Sequence, residues 1–122
     1  MSNWKQFGSV TNALALIRET KELMEKYSSA DASDLDDAIK DITEGRPIER
    51  KEAFWRVSGL CHPKAYGDLY MKDIPGSFSA WHKHLEKLER SCKTAYKKLE
   101  EEFESLTQIE RTTAEQGSGG NG

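Results

Sequence analysis

The stretch Ser77–Thr112, SFSAWHKHLEKLERSCKTAYKKLEEEFESLTQIERT, decides how this chain folds. Phe78, Trp81, Leu85, Leu88, Cys92, Ala95, Leu99, Glu102, Leu106 and Ile109 follow one another in alternating steps of 3 and 4. That rhythm gathers side chains on one side of an α-helix and, when sustained, forms the seam of a coiled coil. Nine of the ten positions are apolar or small, and Phe103 sits beside the exception, Glu102. No Gly or Pro falls between Ser77 and Gly117, and Pro75-Gly76 followed by Ser77 or Ser79 supplies a start signal. The expected helix, about residues 79–112, would be about 50 Å long.

Three shorter helices are expected upstream. The first spans about residues 9–27, with Val10, Ala13, Leu14, Ile17, Met24 and Tyr27 at helical spacing. Trp4 and Phe7 precede it and are expected to fold back over the core. The second spans about residues 34–44, with Ser33 as its cap and Asp34, Asp36 and Asp37 in the first turn, where the helix dipole favours negative charge. Gly45 is expected to end it in the position after the C-cap. Pro47 then opens a third helix, to about residue 60, burying some combination of Ile48, Phe54, Trp55, Val57 and Leu60. Residues 61–76 break the pattern with Pro63, Gly67, Pro75 and Gly76, leaving a long connection with a short helical turn around Ala65–Met71.

The expected fold is therefore all-α: a small bundle of about four helices with a long, coiled-coil-like C-terminal helix. Residues 1–116 form one domain, and the Gly-rich residues 117–122 form a flexible tail. None of the first three helices, about 28, 17 and 20 Å long, can cover a 50 Å partner alone. The far part of the last helix should then protrude, carrying Leu99, Phe103, Leu106 and Ile109.

Charge is distributed unevenly. The net value is -3, but residues 31–45 and 99–122 each carry -5, while residues 46–98 carry +6. The sequence lacks an apolar run of the ~18–20 residues that a membrane span needs. Its first residues lack a signal-peptide core, and two cysteines do not make a disulfide framework. A cytoplasmic protein is expected.

Catalytic and metal-binding patterns are missing. Cys61, His62, His82, His84 and Cys92 include no paired ligands at chelating spacing; His82 and His84 point about 200° apart on a helix. There is no nucleophile elbow, phosphate-binding loop or dinucleotide fingerprint. The expectation is no enzyme, no cofactor and no metal.

What the pattern does suggest is a non-catalytic interaction or regulatory protein that binds a protein partner, itself included, as a homodimer. The expected partner-binding residues are Tyr66, Tyr70, Trp81, Leu99, Phe103, Leu106 and Ile109. The alternative is a nucleic-acid-binding accessory protein. It would use the basic middle through Arg46, Arg50, Lys51, Arg56, Lys83, Lys87, Arg90 and Lys97. A DNA-reading helix-turn-helix centred on Gly45 is rejected, because it would put Asp41, Glu44, Arg46 and Lys51 at packing positions.

Overall fold

A computed structural model describes the backbone of residues 4–119 and the side chains of residues 4–104. Its elements are four α-helices: α1 (Gly8–Tyr27), α2 (Ser33–Glu44), α3 (Pro47–Leu60) and α4 (Ser77–Gly119). Two 3-10 turns, Trp4–Gln6 and Tyr66–Asp68, complete the order, and there is no strand among the described residues. None of the helices is long and apolar enough to cross a membrane, among the described residues.

The bundle is organised around α4. Its buried positions are Trp81, Leu85, Leu88, Cys92, Ala95 and Leu99, the 4-and-3 rhythm legible in the sequence. The protein's own α1 and α3 cover that seam. Both run antiparallel to α4. On one flank the Thr20 hydroxyl meets His84 at 2.7 Å while Lys98 lies over the Phe7 ring. On the other, Trp55 packs on Tyr96 and Lys51 approaches Glu100. The acidic α2 closes the core against α3 and α1 with Leu35, Ala38 and Ile42.

Helix ends depart from the sequence expectation in instructive ways. Ser33 does not cap α2. It is the first residue of the helix, and the Asp31 carboxylate accepts hydrogen bonds from its backbone N–H (2.9 Å) and its hydroxyl (3.0 Å). Gly45 ends α2 in an extended conformation (φ -79°, ψ 170°) and not in the left-handed one. Glycine is needed there because a Cβ would lie 2.3 Å from the Asp41 carbonyl oxygen. Pro47 opens the third helix at its first turn, where the missing N–H is harmless. The long helix exceeds its expected limits at both ends and continues into the Gly-rich tail as far as Gly119.

The connection between α3 and α4 is pinned. The Trp81 indole N–H donates to the Tyr66 carbonyl at 2.9 Å, and the His82 ring is 3.1 Å from the Gly67 carbonyl. The backbone N–H of Lys72 donates to the Tyr27 carbonyl, tying the loop to the end of the first helix. Met71 and Ile74 are buried beneath it. Trp4 folds back onto the core as expected, and the Arg50 guanidinium lies 5.1 Å from its ring centre.

Candidate interaction face on α3 and α4

On α3, Ala53, Phe54, Val57 and Ser58 turn inward. At about 100° per residue, Ile48, Trp55 and Gly59 form a second stripe, centred about 150° away. That stripe is open: Trp55 is 56% and Ile48 41% exposed, against the sequence expectation that allowed either to be buried. Trp55 does not stand alone. Its ring packs on Tyr96 of α4 with centroids 5.1 Å apart and planes tilted by 43°. The Lys51 ammonium bridges from Tyr96 to Phe103, lying 5.4 Å from one ring centre and 5.5 Å from the other. Phe103 is itself 37% exposed.

Above Trp55 the two helices leave a cleft of about 390 Å³ bounded by Ser58, Gly59, His62, Pro63, Glu89 and Lys93. No atom lies within 4 Å of a Cβ built on Gly59, so the helix surface is open at that point. Trp55 lines this cleft and packs on Tyr96, so the cleft adjoins the aromatic row, and the two together make up the α3–α4 furrow. Its charges are largely matched: Lys93 pairs with Glu89 at 2.7 Å, and Lys51 lies 4.0 Å from Glu100. Such a surface combines apolar rings with neutralised charge, the composition of a protein-binding patch.

The residues expected to bind a partner are dispersed. Tyr66, Trp81 and Leu99 are buried in the protein's own core, so they are unavailable to a partner in this fold. The reason is that α1 and α3 reach far enough along α4 to cover its seam through Leu99. Tyr70 is 77% exposed, but it borders a separate open cleft of about 720 Å³ with Tyr27, Lys26 and Lys72. That cleft lies near the start of α4, at the opposite end of the bundle from Phe103. Leu106 and Ile109 lie outside the residues whose side chains are described. Of the five whose side chains are described, Phe103 alone is placed on the aromatic face.

The basic residues divide into two sets. Arg46 pairs with Glu49, and Arg56 pairs with Asp41 at 2.6 Å. Arg50 donates to the carbonyls of Ile42 (2.8 Å) and Gly45 (2.9 Å), closing the C-terminal end of α2. With Lys51 over its two rings, these four all make contacts within the chain, and Arg46 and Arg56 do so while remaining exposed. Lys83, Lys87, Arg90 and Lys97 are exposed along the outer side of α4.

Trp55, Tyr96 and Ile48 were not among the residues expected to bind a protein partner. The sequence did hold a signal: Ile48 and Trp55 are seven apart and fall off the Phe54–Val57–Cys61 stripe. What it lacked was the placement of Tyr96 beside them.

Among the described residues, no group of three His, Cys, Asp or Glu side chains is placed to hold a metal ion. Cys61 and Cys92 are free and buried; burial pushes the Cys61 thiol up to about 12 and raises that of Cys92 as well. Thiols held in this state are poor nucleophiles. The Tyr66 hydroxyl is buried without a hydrogen-bond partner among the described residues, and burial raises its pKa. His84 stacks on Trp81 with ring centres 5.9 Å apart.

Comparison with family models, with curated proteins and with solved structures finds no match to this chain.

Proposed function

We propose that this chain is a non-catalytic interaction protein that docks a helix of a partner along the furrow between α3 and α4. The observation that carries this reading is the exposure of Trp55 on a supported aromatic row. Large aromatic side chains held in place by neighbours lose little freedom on binding, and they dominate binding energy at interfaces. The furrow, with an apolar row and paired charges at its edges, suits the apolar stripe of an amphipathic helix. The two buried free thiols are in keeping with a reducing, cytoplasmic setting.

The test is affinity capture with the intact chain and with a Trp55→Glu, Phe103→Glu variant, using Arg18→Glu, exposed on α1, as a control on another surface. A docked protein retained by the native chain and the control, and lost with the double variant, is the expected result. Identical capture by all three would overturn the reading.

The exposed stripe of Lys83, Lys87, Arg90 and Lys97 supports a second reading, binding of a nucleic acid backbone. It is the weaker one, since the other four basic residues are engaged internally. Failure to bind single-stranded or duplex nucleic acid at low salt would remove it.

A further inference from the structure

We infer that the open cleft between the end of α1 and the loop before α4 binds a nucleoside phosphate. Tyr70 stacks on the base, Asp73 accepts from the ribose hydroxyls, and Lys26, Lys72 and Ser28 hold the phosphate. This site is separate from the α3–α4 furrow and does not depend on the docking reading.

Two pinned segments build the cleft. Residues 26–30 lead out of α1, and residues 69–73 follow the second 3-10 turn. The Lys72 N–H donates to the Tyr27 carbonyl at 2.6 Å, and Met71 and Ile74 are buried on either side of Lys72 and Asp73. Asp73 is held between these anchors at φ +60°, a conformation that aspartate tolerates better than most residues. The space between the segments, about 720 Å³, falls within the ~300–1,000 Å³ of small-molecule sites.

What names the ligand is a set of groups left unspent. Lys21, five residues before Lys26 on α1, pairs with Asp36 and Glu25. Lys26, Lys72 and Asp73 have no ion pair among the described residues, although all three line one cleft. The Lys26 ammonium lies 5.4 Å from the Tyr27 ring centre, a contact that positions it without neutralising it. The Ser28 hydroxyl oxygen accepts from the Ala30 N–H at 2.8 Å, so its own proton remains to be donated. Tyr70, 77% exposed, offers an open ring face.

Two cations and a hydroxyl suit a phosphate, and an exposed ring suits a base. A carboxylate suits ribose hydroxyls, as in other nucleotide sites. A simple anion would have no use for Asp73, and an apolar ligand none for the lysines. A nucleoside phosphate satisfies all of them at once. The carbonyls that end α1 oppose an anion. Those of Met24 and Tyr27 are taken by the N–H groups of Ser28 and Lys72, and Lys26 sits in the last turn.

Isothermal titration calorimetry of the full chain with AMP tests this, with one saturable site per chain expected. Lys26→Gln with Lys72→Gln, and separately Tyr70→Ala, should each weaken binding by about tenfold or more. These side chains are exposed, so helicity and urea stability should be retained. Asp73→Asn should reduce the preference for AMP over its 2′,3′-dideoxy analogue. Inorganic phosphate and adenosine should each bind about tenfold or more weakly than AMP, since each meets only part of the site. Absence of saturable binding up to about 1 mM AMP overturns the inference. So does an affinity indifferent to the Tyr70 and lysine substitutions, or phosphate binding as tightly as AMP, which would make the cleft a simple anion site.

Discussion

The Nε2 atom of His84 lies 2.7 Å from the hydroxyl of Thr20, sixty-four residues away, and the direction of that hydrogen bond is set by a third group. The Thr20 hydroxyl also lies 2.7 Å from the Leu16 carbonyl, to which it donates its one proton. It can then only accept from His84, so the imidazole carries its proton on Nε2. This is a polar clasp between the first and last helices, with Thr20 fully buried.

Burial of that imidazole makes stability depend on pH. Burial lowers the pKa of His84 from its ordinary 6.5, Lys87 lowers it further, and Glu19 partly offsets both. The unfolded chain therefore takes up a proton more readily than the folded one. The contribution is complete above pH 6.5 and declines as pH falls from there through the folded value. Urea denaturation at a series of pH values is expected to show this loss on the acid side. In His84→Gln, which keeps a donor and cannot titrate, that part of the slope should vanish.

Neighbouring residues on α3 should separate sharply. Phe54 is fully buried, and Phe54→Ala is expected to cost about 3–5 kcal/mol. Trp55 is larger, but its tilted contact with Tyr96 is its main attachment, so Trp55→Ala should cost only about 0.5–1.5 kcal/mol. Equilibrium denaturation of the two variants at low protein concentration measures the difference, with association kept out. Equal costs would mean that Trp55 belongs to the core.

Arg50 joins three parts of the fold: the end of α2, the body of α3 and the Trp4 ring. Arg50→Ala is expected to destabilise by about 1.5–3 kcal/mol, as carbonyls at the helix end lose a charged donor. Arg50→Lys should recover little, because an ammonium cannot reproduce the planar fork. Thermal or urea unfolding of both variants checks this.

Gly45→Ala is expected to destabilise by about 1–3 kcal/mol, since the added Cβ must displace the backbone at Asp41. The dihedrals of Gly45 are accessible to alanine, so the loss would report crowding and not conformational preference. A neutral result in urea denaturation would show that α2 shifts freely at its end.

The two thiols give a direct reading of core integrity. Cys61 and Cys92 are buried and their ionisation is suppressed, so a thiol reagent at pH 8 should label neither at an appreciable rate in the native protein. Both should react promptly in urea. Fast native labelling at one site would locate a region that opens locally.

The sequence by itself determined the helices, because periodicity is a local property. Trp81, Leu85, Leu88, Cys92, Ala95 and Leu99 had to share one side of a helix once the chain became helical there. Pro47 and the Pro75-Gly76 pair likewise marked helix starts through constraints within a few residues. What covers that shared side is a different question, and only the tertiary structure decided it. An apolar stripe looks the same in sequence whether its own neighbours or another molecule bury it. Here α1 and α3 bury it through Leu99, turning Trp81 and Tyr66 into core and leaving Trp55, Tyr96 and Phe103 as the outward row. Arg50 and Arg56 were likewise read as free charges until folding brought the end of α2 and Asp41 within reach. Burial is a relation between distant segments. The side chains that make this protein's surface are therefore legible only after the helices have been placed against each other.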